Sequence, residues 1–119
     1  MQGLIRDSTK NRKLLNECID SLKILNRKLA HAERDYRVAL TQESLRLKIM
    51  GYEGDLGKTE PVAWSKADTI AMGLPAVAEL RLQRDLASGD VNTIMQKIYQ
   101  VKIELDITQS DMEAMRKGV

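Results

Sequence analysis

The sequence contains no phenylalanine, and only one tryptophan and three tyrosines occur among its 119 residues. A compact globular domain of this length usually centres on several aromatic side chains, because each of them buries a large apolar area. The apolar residues here are instead leucine, isoleucine, valine, methionine and alanine, and 30% of all residues are charged. This composition argues against a thick aromatic core and favours long helices that pack along narrow seams.

Cysteine and long apolar runs are also scarce. Cys18 is the only cysteine, so a disulfide within the chain is impossible and a reducing compartment is expected. No apolar run approaches the roughly 20 residues that span a bilayer. The first residues, MQGLIRDSTKNRK, lack the hydrophobic stretch of a signal peptide. We therefore expect a soluble intracellular protein without membrane association.

Proline and glycine are absent from residues 4–50, and apolar or small residues recur there every seven positions. This spacing is that of a coiled-coil seam and predicts a helix over residues 4–50. The two rows of the seam are Leu15, Leu22, Leu29 and Tyr36, and Cys18, Leu25, Ala32 and Ala39.

Glycine and proline return in residues 51–64, GYEGDLGKTEPVAW, which predicts a loop. Ser65 and Asp68 resemble a capping box and predict a short helix over residues 65–72, which Gly73 is placed to close.

Pro75 suits the first turn of a final helix over residues 75–117. Ten of the twelve positions in the seam of this helix are apolar. The twelve are Val77, Leu80, Arg84, Ala87, Val91, Ile94, Ile98, Val101, Leu105, Thr108, Met112 and Met115. Gly89 lies in the middle of the helix and predicts a kink or a close approach of another helix. A break into two separate helices is the less favoured alternative.

The connection between the two long helices is too short for a parallel return, since an extended chain spans about 3.5 Å per residue. We therefore predict an all-α fold in which two long helices form an antiparallel hairpin with a short connecting helix. Residues 1–119 form a single domain in this interpretation.

The final helix carries a second apolar stripe, on the side away from its seam. Its members are Leu82, Leu86, Tyr99, Ile103 and Ile107. Exposure of such side chains forfeits about 1.5–3 kcal/mol each, so we predict that a second copy of the chain covers them in a homo-oligomer. Alternatively, the loop and short helix cover one end of the stripe with Leu56, Trp64, Ile70 and Met72.

No catalytic residue, cofactor-binding residue or metal ligand is predicted. Gly57, Lys58 and Thr59 match the end of a phosphate-binding loop, but Tyr52 occupies the position of its first glycine. His31 is the only histidine and makes no metal-binding spacing with Cys18. Carboxylates are scattered without an acid–base pair, so we expect that the protein is not an enzyme.

The first helix is basic, since residues 1–50 hold 11 lysines and arginines against 6 acidic residues. Six of these cations share one side of the helix: Arg6, Lys13, Lys23, Arg27, Arg34 and Arg37. Such a stripe can follow the phosphates of a nucleic acid. The favoured interpretation is a solvated face that keeps the helix soluble, because Asp20 interrupts the stripe and Glu17 and Asp35 flank it.

The stretch from MGLPAVAELRLQRDLASGD to IYQVKIELDITQSDMEAM, roughly residues 72–115, resembles a group of small coiled-coil proteins encoded by bacteriophages of Gram-positive bacteria. The resemblance is carried by Ala78, Glu79, Leu80, Arg81, Arg84 and Asp85. It implies a viral accessory protein made in the bacterial cytoplasm, and it implies no activity or catalytic residue.

Three functions follow as hypotheses. The first is a non-catalytic phage-type protein that acts through coiled-coil self-association and macromolecular binding. The second is a nucleic-acid-binding accessory factor for replication or recombination. The third is an inhibitor of a host nuclease or of another defence effector, by analogy with other small phage proteins.

Overall fold

The computed structural model describes residues 1–53, 59–60 and 63–118 of the chain. It contains two long helices, α1 (Gln2–Met50) and α3 (Pro75–Lys117), and one short helix, α2 (Trp64–Gly73). The predicted all-α fold with two long helices and a short connecting one is confirmed.

Helix α1 is uninterrupted because no residue between its first turn and Met50 breaks the hydrogen-bond ladder. It begins two residues earlier than predicted, with the Ile5 amide donating to the Met1 carbonyl at 3.0 Å. It ends where predicted, at Gly51, whose φ of 78° lies in the left-handed region that glycine adopts without a steric penalty. The Gly51 amide donates to the Leu47 carbonyl at 3.0 Å and closes the last turn.

Two very short strands follow α1, so the prediction of a plain loop over residues 51–64 is wrong at these four positions, and it is also wrong at Trp64, which belongs to α2. β1 (Tyr52–Glu53) pairs antiparallel with β2 (Thr59–Glu60), and Tyr52 lies opposite Glu60. Tyrosine and threonine favour extended backbone, and the positive φ at Gly51 has already turned the chain out of the helix.

Helix α2 begins at Trp64, one residue before Ser65, and Ala63 occupies the N-cap without a side-chain hydrogen bond. The predicted capping box is therefore wrong. The Ala63 carbonyl instead accepts the amides of Lys66 and Ala67, at 2.9 and 3.2 Å. Gly73 belongs to the helix, and the prediction that it closes the turn is also wrong.

Leu74 terminates α2 because it precedes a proline, which disfavours helical backbone in the residue before it. Its φ of −67° and ψ of 137° are extended, and its amide donates to the Ala71 carbonyl. Pro75 is the first residue of α3, as predicted.

Contacts divide the chain into two compact units. Unit 1 comprises Met1–Arg27 and Gly89–Val119, and unit 2 comprises Lys28–Ser88. In unit 1 the long helices run antiparallel. Residues at the start of α1 line a groove with Asp111, Ala114 and Met115, and residues one to two turns later line a groove with residues 104–108.

The core of unit 1 is the predicted aliphatic seam. Cys18 from α1 and Val91, Ile98 and Val101 from α3 are buried. Met115 is an exception among the predicted seam residues because it is 45% exposed. It lies in the last turn of α3, beyond which the helix ends at Lys117.

Unit 2 is centred on Leu47 of α1, which is buried together with Ala67 and Ala71 of α2. Leu40 and Ile70 pack against this cluster. The two alanines face α1 one turn apart, and side chains of this size allow a close approach of the two helices. Ser44 is buried in the same unit, and its hydroxyl has no hydrogen-bond partner among the described residues.

Arg84 is one of the two polar residues at predicted seam positions, and its contacts explain why it is tolerated there. Its guanidinium lies over the buried ring of Tyr36, 4.6 Å from the ring centroid. Nη2 also donates to Asp85 at 2.8 Å. This hydrogen bond raises the pKa of Arg84 above its ordinary value. The stem of the arginine packs at the seam while its charge remains paired.

Gly89 lies inside an uninterrupted helix, so the less favoured alternative of two separate helices is wrong. A Cβ built at this position meets no atom within 4 Å. The predicted close approach of another helix at Gly89 is therefore also wrong.

We predict that Gly89→Ala raises the free energy of unfolding by about 1 kcal/mol, because alanine restricts the unfolded chain and fits the open space. Urea unfolding at a fixed protein concentration measures the change. Gly3→Ala is the matched control, since Gly3 is also helical and open but lies in the fraying first turn. A destabilised Gly89→Ala would contradict the prediction.

We further predict a coupling energy of about 0.5–2 kcal/mol between Tyr36 and Arg84 in a double-mutant cycle. The cycle uses Tyr36→Leu, Arg84→Met and the double variant, with stability measured by chemical unfolding. Additive effects of the two substitutions would show that the guanidinium and the ring do not stabilise each other.

Candidate interaction surfaces

Four large apolar side chains of α3 are exposed in unit 1 at intervals of four residues: Met95, Tyr99, Ile103 and Ile107. We call this set the apolar ridge. Their exposed fractions run from 42% for Ile103 to 68% for Tyr99. Residues four apart are neighbours on a helix surface, so the four side chains form one continuous row. Three of them were predicted from the sequence. Met95 was not predicted, although it precedes Tyr99 by four residues, a spacing that places both side chains on the same side of the helix.

Unit 2 carries the other two residues of the predicted stripe, Leu82 and Leu86, which are also exposed. The alternative prediction was that side chains of the loop and short helix cover one end of this stripe, and two of its four side chains belong to the described residues. Ile70 packs against the Leu47 cluster, and Met72 is half-buried. Leu56 and the side chain of Trp64 lie outside the described residues.

A second set of exposed apolar side chains in unit 2 was not predicted. Val38, Leu45 and Ile49 of α1 are exposed, and the exposed fraction of Ile49 is 81%. Spacings of seven and four residues place them on one face of the helix. This periodicity is present in the sequence, but the three residues lie near or beyond Ala39, where the predicted rows of the seam end.

Cations of α1 differ between the two units. In unit 1 the predicted stripe residues Arg6, Lys13, Lys23 and Arg27 are exposed, and none of them forms an ion pair with a described residue. In unit 2 the three arginines of α1 and Arg84 of α3 pair with nearby carboxylates, whereas Arg81 forms no ion pair with a described residue. These pairs are Arg34 with Asp35, Arg37 with Glu33, Arg46 with Glu43, and Arg84 with Asp85.

Two further cations of unit 1 were omitted from the predicted stripe. Lys10 and Arg12 are exposed and form no ion pair within the described part of the chain. Lys10 follows Arg6 by one helical turn and precedes Lys13 by three residues, which places these three on one side of α1. Lys23, by contrast, is separated from them by Glu17 and Asp20, both exposed.

The remaining chemical candidates are not brought together. His31 is exposed and Cys18 is buried. Within residues 1–53, 59–60 and 63–118, no three histidine, cysteine or acidic side chains are grouped as metal ligands. Of the three residues that match a phosphate-binding loop, Gly57 and Lys58 lie outside the described residues, and Thr59 begins β2.

No helix in the described part of the chain combines the length and the apolar content needed to cross a bilayer. Comparison with protein families, with curated proteins and with solved structures gives no match.

Proposed function

We propose that this chain is a non-catalytic accessory protein that acts by self-association and by binding another macromolecule. The observation that carries the proposal is the apolar ridge. Four large side chains lie in one exposed row on α3, on the side away from the buried Ile98 and Val101. A helix that is apolar on two sides is normally covered on both.

The area available supports a second copy as the partner. Burial of a large aliphatic or aromatic side chain contributes about 1.5–3 kcal/mol. Because the ridge side chains are already about half-buried, eight of them from two copies contribute on the order of 6–12 kcal/mol by the same scale. Association itself costs an estimated 4–15 kcal/mol. Micromolar association requires a net gain of about 8 kcal/mol. The ridge alone supplies this only when it is covered along its whole length and the cost of association lies at the low end of its range.

Exposed apolar side chains in unit 2 add to the apolar area that a partner can cover. Leu82 and Leu86 on α3 belong to the stripe predicted for self-association, and Val38, Leu45 and Ile49 on α1 form a separate row. We infer that the α3 residues take part in self-association. The row on α1 is a further apolar surface for which the chain offers no partner among the described residues.

The other sequence-based hypotheses stay predictions. These are inhibition of a host nuclease or defence effector, a bacteriophage origin and a location in the bacterial cytoplasm. The absence of an acid–base pair or nucleophilic motif in the sequence supports a role without catalysis.

We predict that Ile103→Glu weakens self-association by roughly 100-fold, which corresponds to about 2.7 kcal/mol. The substitution places a charge in the centre of the ridge, where an apolar partner cannot solvate it. Sedimentation and light scattering over a range from 1 to about 100 μM would measure the change, a range chosen around the micromolar association estimated above.

Ile24→Glu is the matched control, since Ile24 is an exposed isoleucine of unit 1 that lies on α1 rather than on the ridge. It should leave self-association unchanged. A wild-type chain that stays monomeric across the whole range, or an equal effect of the two substitutions, would rule out the ridge as the interface. Circular dichroism should show that both variants retain their helices.

A further inference from the structure

We infer that the start of α1 is a binding site for the phosphate backbone of nucleic acids, without sequence preference. The site consists of four cations within eight residues, Arg6, Lys10, Arg12 and Lys13, which we call the basic cluster. The inference identifies nucleic acid as the macromolecule that the proposed accessory protein binds. It rests on the proposed function for its biological role, but the binding itself can be tested independently.

The cluster is accessible and electrostatically available. All four side chains are exposed, and none forms an ion pair with a described residue. Exposed guanidinium and ammonium groups that lack a carboxylate partner remain able to donate to phosphate oxygens. Arg34 and Arg37 of unit 2 each lie beside a carboxylate, Asp35 and Glu33, and these acidic groups cancel the local positive charge that would attract phosphate.

The local charge is strongly positive. Among residues 1–16 Asp7 is the only acidic side chain, so the four cations give this segment a net side-chain charge of +3. Helix α1 has no acidic residue in its first turn, so its positive N-terminal end is not neutralised there. Asp7 and Glu104 line a groove with Lys10, and Asp111 lines another groove with Asp7, so a phosphate at the cluster would meet these carboxylates nearby.

The cluster is long enough to contact several phosphates of one nucleic-acid strand. At about 1.5 Å per residue, Arg6 and Lys13 are separated by roughly 10 Å along the axis of α1. A strand of duplex DNA carries one charge per roughly 3.4 Å of its axis. The cluster therefore spans about three phosphates, and Arg6, Lys10 and Lys13 lie on one side of the helix to meet them.

Specific readout of bases is not supported at this site. The segment that holds the cluster contains no aromatic residue on which a base could stack. Contacts to phosphates alone set position and affinity without reading the sequence. The protein would therefore bind duplexes of unrelated sequence with similar affinity.

The experiment is a fluorescence-anisotropy titration of the full-length chain with labelled duplexes of two unrelated sequences. Three phosphate contacts predict that the affinity falls roughly 40-fold between 50 and 200 mM salt. The triple variant Arg6→Gln, Lys10→Gln, Lys13→Gln should abolish most of this salt dependence and weaken binding at low salt at least tenfold.

The matched control removes three cations that are already paired, in the variant Arg34→Gln, Arg37→Gln, Arg46→Gln. It has the same change in net charge but should retain most of the affinity and the salt dependence. Equal losses in both triple variants would show that only net charge matters and would overturn the assignment to the basic cluster. No binding of the wild type at 50 mM salt would also overturn it.

Two further measurements distinguish nucleic-acid binding from the proposed self-association and from binding to lipids. Ile103→Glu should bind the duplexes like the wild type at concentrations where the chain is monomeric, because the cluster does not include the ridge. A chain that self-associates but does not bind DNA would refute the nucleic-acid site and leave the proposed self-association intact. Binding to anionic lipid vesicles in place of DNA would identify a different partner and refute the inference.

Discussion

The narrow aliphatic seam is the constraint on which the rest of this structure depends. Without phenylalanine, each unit buries only a few side chains, and Leu47 and Val77 are the largest that are almost completely enclosed among the described residues. A seam of this kind uses one face of each helix and leaves the other faces to solvent or to a partner. The exposed apolar and basic surfaces are therefore direct consequences of how the protein is held together.

The seam also determines which polar residues the helices can tolerate. Arg84 occupies a seam position because Tyr36 offers an aromatic face and Asp85 a carboxylate. Ser44 is different, since its buried hydroxyl lacks a partner within the described residues, and such a group costs free energy. Arg84 is thus stabilised by its neighbours, while the buried hydroxyl of Ser44 is destabilising.

The elements that follow from local rules were the ones that could be predicted. Gly51 and Pro75 end and begin helices because of their own backbone chemistry, and both positions are as expected. Ser65 was misassigned, since the helix starts at Trp64 and the carbonyl of Ala63 accepts the first amides. The short strand pair after Gly51 was also missed, because pairing of Tyr52 with Glu60 joins residues that no local pattern connects.

The sequence by itself determined the all-α fold, the two long helices and most of the apolar stripe on α3, because helical periodicity fixes which residues share a face. The tertiary structure alone decided which residues of different helices meet. Arg84 of α3 lies over the ring of Tyr36 on α1, and Ala67 and Ala71 of α2 are buried with Leu47 of α1. These residues are far apart in the sequence, and helical periodicity identifies the face of a helix but not the partner that packs on it.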